Sequence, residues 1–272
     1  MLLLTAKYTN RYNFSLYALA IEGSHTHQFI HTPDKNRAHF MRDLNSNIAK
    51  QVPLLCPEYP GGRLWERRYS SEMVPMHRDD IEEQFFYTVL QPVKDGLVSR
   101  LSEYAGYSCF SDAIHGRKRC FKEVDWKAFN KARRLDKKAK IEDFETSYYL
   151  EYKRLPGYED LTQKKYAKIM NQKLFDRENE IIKQRELEGR RFLGKEALVK
   201  MKPGTPAKNP KLSERFTKRP RVLSMCPKRR EEALDFYFDC YEKFKKASVK
   251  YRYGDFTVEF PKGMYRPYCC PH

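Results

Sequence analysis

The sequence predicts an α+β fold, with an antiparallel sheet and helices packed on it, followed by a basic, mainly helical C-terminal region. Three observations carry that expectation. The run "FSLYALAIE" (14–22) is apolar and β-prone, and it is followed within two residues by "HTHQFIH" (25–31), a second β-compatible run. Residues 34–52 space Phe40, Leu44 and Ile48 four apart, which is a helix with one apolar face. Beyond Gly116 the composition shifts to Lys, Glu and Tyr, with few turn signals until about residue 201.

Length and composition agree with a folded chain. Of 272 residues 40% are hydrophobic, including 19 Tyr and 17 Phe, enough for one sizeable core and a smaller second unit. The opening "MLLLTA" is too short to span a bilayer and has no basic flank or cleavage site, so the expected address is cytoplasmic, away from membranes. Seven cysteines without a C-x-x-C pair point to reduced thiols rather than a disulfide framework.

In order along the chain, the two strands at 14–22 and 25–31 are joined by a short turn through Gly23. Asp34 is the expected cap of the following helix, "PEYPGG" is a turn, and "RLWERRYSSEMV" (63–74) reads as a third strand. A short helix over 79–91 follows, capped by Asp79 or Asp80 and stopped by Pro92. Phe85, Phe86, Val89 and Leu90 share its apolar face, while Tyr87 and Gln91 stand one turn apart on nearly the opposite side. Residues 117–201 read as a separate helical appendage interrupted at "RLPGYEDL". Residues 202–221, with four prolines among basic residues, read as an extended linker. A helix and a possible terminal hairpin, "YGDFTVEFPKGMYRP", complete residues 222–272.

Charge is unevenly distributed over these units. Residues 1–116 hold 12 basic and 13 acidic side chains, net −1; residues 117–221 hold 31 and 16, net +15; residues 222–272 hold 10 and 7, net +3. A surplus concentrated in the middle of the chain suits a polyanionic partner, with a solubilising helical surface as the other reading.

The residue pattern with most chemical content begins at His25 and His27. Alternate residues of a strand project from one face about 7 Å apart, so two imidazoles can converge on one ion while Thr26 points away. Such a pair is also common in ordinary polar strands. What adds to it is Tyr87 and Gln91, placed i and i+4 immediately before Pro92.

The run "YALAIEGSHTHQFIHTP", then "GRLWERRYSSEMV", then "FFYTVLQPVKDGLVSRLSEYAGYSCFSDAIHG" resembles the REP-associated tyrosine transposases, bacterial members of the single-tyrosine HUH transposases, over about residues 14–116. The resemblance implies a ferredoxin-like, RRM-like catalytic domain over 1–116. It implies that His25, His27 and Gln91 hold one divalent cation, Mg²⁺ or Mn²⁺, and that Tyr87 is the nucleophile. Phenols titrate near about 10, so the tyrosine needs a nearby positive field to attack at neutral pH. Attack gives a 5′-phosphotyrosine and a free 3′-OH, which conserves the phosphodiester for rejoining. The implied substrate is single-stranded or hairpin DNA, handled by a monomer or homodimer, with Arg67, Arg68 and Lys94 as candidate phosphate contacts.

Thr26 and Gln28 stand where the family pattern has apolar residues, and Met1 falls inside the expected first helix, after the expected first strand. A sheet lacking that strand is expected to carry an open edge with unpaired backbone groups. The alternative function is therefore a DNA-binding protein of the same fold that has lost the chemistry. A rolling-circle initiator or relaxase would share ligands and nucleophile but tends to carry further motifs that are not found here.

Overall fold

The computed structural model describes residues 1–23, 25–59, 61–66, 68–202, 205 and 220–267. It is an α+β chain built on two small antiparallel sheets. Helix α1 (Leu2–Arg11) leads into strand β1 (Ser15–Ile21), which turns back as β2 (Thr26–His31). The two strands pair from Ser15↔His31 to Ile21↔Thr26, with an irregularity between Leu16 and Ala18. Helix α2 (Arg37–Leu55) follows, and Phe40, Leu44 and Ile48 are buried on it as their spacing predicts. Its N-cap is Asn36 rather than Asp34, and no side chain caps it.

The expected strand at 63–74 does not form. Among the described residues only Met73 pairs, in a parallel bridge to Val222, with its N–H donating to the Arg221 carbonyl. The apolar residues of this stretch fall as adjacent pairs, Leu64 with Trp65 and Met73 with Val74, separated by a polar run. Without alternation there is no face for a sheet to bury. Leu64 and Trp65 instead pack against the cluster made by Leu4, Tyr8, Phe40, Leu44 and Ile48 of α1 and α2.

Helix α3 (Arg78–Val89) begins after His77, so Asp79 and Asp80 lie in its first turn instead of capping it. It bends at Leu90 and continues as α4 (Gln91–Lys94), with Pro92 in the first turn, where its missing N–H costs nothing. Strand β3 (Tyr107–Ser108) adds to the other edge of β1, giving the order β2-β1-β3. Helix α5 (Phe110–His115) ends at Gly116, in the left-handed region with φ 63.

The reading of 117–201 as a separate helical unit is corrected in two respects. First, β4 (Arg119–Val124) and β5 (Glu145–Leu150) pair along their full length, with α6 (Trp126–Leu135) between them. Thr146, Tyr148 and Tyr149 favour a pleated strand over the helix that the neighbouring Lys and Glu suggest. Second, the segment after β5 is inside the main core. Leu150, Tyr152, Leu155, Tyr166 and Met170 belong to the same buried cluster as Leu16, Leu19, Phe85 and Phe86.

Tyr166 and Met170 come from α7 (Gln163–Leu187), which is followed by α8 (Lys195–Lys200) and α9 (Pro227–Arg252). Most of the basic linker lies outside the described residues, as do Arg67, Cys269 and Cys270. Residues 253–267 form turns rather than a hairpin: Phe256 and Phe260 pack on Tyr251, with ring centroids 5.2 and 5.7 Å away, folding the segment back on α9. The five described cysteines are free thiols. No helix among the described residues is long and apolar enough to cross a membrane.

The expected open edge of β1 is closed. The Leu19 carbonyl accepts from the Cys109 N–H at 2.9 Å and the Leu16 carbonyl from the Lys153 N–H at 2.8 Å, while the Leu19 N–H meets the Cys109 sulfur at 3.2 Å. Because the core draws on residues 150–170, Leu155→Ala is expected to cost about 2–5 kcal/mol in urea unfolding of the full chain. A fragment of residues 1–116 is expected to show no cooperative transition; a sharp transition in that fragment would contradict the shared core.

Candidate metal and tyrosine site

The site forms where β1 ends. The Tyr104 hydroxyl donates to the Ile21 carbonyl at 2.8 Å, and the next residue, Glu22, is buried with its N–H bonded to the His25 carbonyl at 2.9 Å. That tight turn brings Glu22, His25 and His27 together, with one ligand atom from each lying within 4.8 Å of the others. The two imidazole rings are 4.8 Å apart at 76°. His25 also lies near Asp95, 4.0 Å from its Nε2. His31, opposite Ser15 at the far end of β2, is not part of the group.

Tyr87 stands against this group. Its ring is 6.3 Å from that of His27, edge to face, and the residue is 40% exposed. The Lys94 ammonium lies 4.3 Å from the centre of the Tyr87 ring. Gln91 is not on an exposed face as its spacing suggested. It is buried, and its Nε2 donates to the Tyr87 carbonyl at 3.1 Å. The carboxylate that the fold places beside both histidines is Glu22. The signal for it was legible: one acidic residue closing a largely apolar strand, three positions before His25.

Arg68 is exposed and lies over Tyr69, 5.5 Å from the ring, lining one cavity with Trp65. Of the predicted phosphate contacts, Lys94 lies at the tyrosine and Arg68 on the loop after Trp65, while Arg67 is outside the described residues.

Burial governs the electrostatics of the group. It pushes Glu22 from its ordinary 4.5 up to about 7, with Asp95 adding to the effect. It holds His27 from 6.5 down to about 4, with His25 reinforcing the shift and Asp95 opposing it. Lys94 is also lowered, chiefly by burial. Glu22 Oε1 and His27 Nε2 are buried without a hydrogen-bond partner. Orphaned buried polar atoms are rare and costly, and here two of them belong to one three-donor cluster. A divalent cation fits: it would satisfy both atoms, and a mixed imidazole and carboxylate set takes Mn²⁺ more readily than Mg²⁺.

No family model, curated protein or solved structure significantly matches this chain.

The two shifts act on stability in opposite directions. Glu22 favours its protonated form in the fold, so its contribution is intact below 4.5 and is lost as pH rises to about 7; that of His27 is intact above 6.5 and is lost as pH falls to about 4. At pH 8 the metal-free fold therefore carries a buried, uncompensated carboxylate. Glu22→Gln is expected to stabilise the metal-free protein at pH 8 by on the order of 1–3 kcal/mol and to leave it nearly unchanged at pH 4. Thermal melts with and without Mn²⁺ should also show the metal-induced rise in Tm largely lost in this variant. An undiminished rise would remove Glu22 from the site.

Proposed function

We propose that this chain is a metal-dependent enzyme that nicks and rejoins single-stranded or hairpin DNA through a phosphotyrosine on Tyr87, on a fold of the HUH transposase type. The observation that carries the reading is the three-donor group with two orphaned polar atoms standing against a partly exposed tyrosine. Glu22, His25 and His27 would hold a divalent cation, with the amide oxygen of Gln91 the remaining candidate. When bound, such an ion polarises a phosphodiester and offsets charge on a departing oxygen.

The chain's own residues supply the rest. Tyr87 Oη attacks phosphorus and the bond to the 3′-oxygen breaks, leaving the 5′ end esterified to tyrosine and a free 3′-OH. Lys94, whose ammonium lies over the ring, would favour negative charge on the phenolate and hold a phosphate oxygen. The Gln91 bond to the Tyr87 carbonyl ties the helix end that carries the nucleophile. Attack of a 3′-OH on the phosphotyrosine reverses the step and frees Tyr87, so no nucleotide cofactor is needed. The surplus of +15 over residues 117–221 supports a polyanionic partner.

The test is formation of a denaturation-resistant adduct between the full chain and end-labelled single-stranded and hairpin oligonucleotides in Mn²⁺. Tyr87→Phe is expected to abolish the adduct while retaining DNA binding and the metal-induced rise in Tm. Lys94→Met is expected to slow adduct formation about 10²-fold. Binding without any adduct in the unaltered chain would leave a non-catalytic DNA-binding protein; an adduct persisting in Tyr87→Phe would assign the nucleophile elsewhere.

A further inference from the structure

One cavity lies beside the donor group, and a second adjoins it across Trp65, the residue that lines both. The inner cavity, about 330 Å³, is lined by Ile21, Glu22, His25, Leu64 and Trp65. The outer one, about 460 Å³, is lined by Trp65, Tyr69, Arg42 and Arg68 among others. Both fall in the size range of small-ligand sites. Trp65 separates them with a fixed ring: its indole N–H donates to the Asn45 carbonyl of α2 at 2.9 Å, and its body packs on the apolar cluster of α1 and α2. It remains half-buried rather than fully covered.

The chemistry of the two cavities differs. The inner one mixes apolar residues with Thr26, Gln51, Glu22 and His25 and is lined by no lysine or arginine, so it suits an uncharged group rather than a phosphate. The outer one adds two guanidinium groups to two aromatic rings. Arg42 meets Asp43 through Nε at 2.8 Å, and Arg68 lies over Tyr69. An aromatic residue with arginines on one side and a cavity free of basic side chains on the other is the combination that takes an unpaired base by stacking and the sugar–phosphate chain by charge.

We infer that Trp65 is a stacking platform for a base of single-stranded DNA, seating that base in the cavity beside Glu22 and His25 and passing the backbone out over Arg68 and Arg42. This rests on single-stranded DNA being the substrate. It gives the loop at 61–69 a function that its failure to form a strand leaves open: the loop sets the distance along the strand between the seated base and the donor group.

Trp65 and Trp126 are the two tryptophans of the chain, so Trp126→Phe leaves Trp65 as the sole indole reporter. Trp126 is 57% exposed, and phenylalanine preserves its packing on Phe129. This full-length variant is titrated, in EDTA, with oligothymidine and with an abasic oligonucleotide of equal phosphate number, reading Trp65 emission and the anisotropy of labelled DNA together. Oligothymidine is expected to quench Trp65 in step with the anisotropy, and the abasic strand to bind with little quenching. Tyr69→Ala and Arg68→Ala, which leave Trp65 in place, are each expected to weaken oligothymidine binding about tenfold. Binding that leaves Trp65 emission unchanged, or equal quenching by the abasic strand, overturns the platform; absence of binding overturns it together with the proposed substrate. Quenching in a chain that never forms the Tyr87 adduct would sustain the platform and sink the nicking reaction.

Discussion

Strand β1 is buried from Leu16 to Ala20, and the sheet, the edge partners drawn from distant segments and the donor group at its end are organised by the need to satisfy its backbone. A buried N–H or C=O without a partner costs as much as a lost hydrogen bond, so a central strand must be bonded along both edges. β2 covers one edge. The other is covered piecemeal, by β3, by Cys109 and by Lys153. Those partners come from distant parts of the chain, which is why the segment running from β5 into α7 is drawn into the core rather than standing apart. The end of β1 also fixes the site, since Glu22 enters the turn directly after the last paired residue.

The helix carrying Tyr87 is held by its acidic first turns. Asp80, 2% exposed, accepts from the Ser224 hydroxyl, the Met225 N–H and the Arg229 guanidinium. Glu82 meets Lys173 and the Tyr158 hydroxyl, and Glu83 meets Arg177. From the other direction, Glu178 of α7 accepts from Arg100 and from the Leu101 N–H. Partly exposed ion pairs contribute little singly, but the buried Asp80 cluster would leave an uncompensated charge if broken. Part of the basic surplus of the middle region is therefore spent inside the molecule, orienting α3.

Glu22, His27 and Lys94 are all pushed toward their neutral forms, each mainly by burial. With a carboxyl near 7 beside an imidazole near 4, both groups are neutral between those values, and above about 7 the fold holds a buried carboxylate next to two uncharged imidazoles. Such strain is tolerated where a bound group relieves it. The same burial that destabilises the metal-free site raises the worth of any cation that enters it.

Much was legible in the sequence by itself. The α+β class, the first two strands, the helix spacing of Phe40, Leu44 and Ile48, the buried face of Phe85, Phe86 and Val89, and the pairing of His25 with His27 all follow from local periodicity, which the chain carries in its own order. Tertiary structure alone decided the rest. Glu22 becomes a donor because a turn folds it onto His27, and Gln91 is buried rather than exposed. Trp65 becomes the wall of two cavities because its loop docks on α2. Leu150 to Met170 join the core because β1 needs a partner for Leu16. Each of these is a contact between distant residues, set by burial and backbone satisfaction, and periodicity within a window of ten or fifteen residues has no access to it.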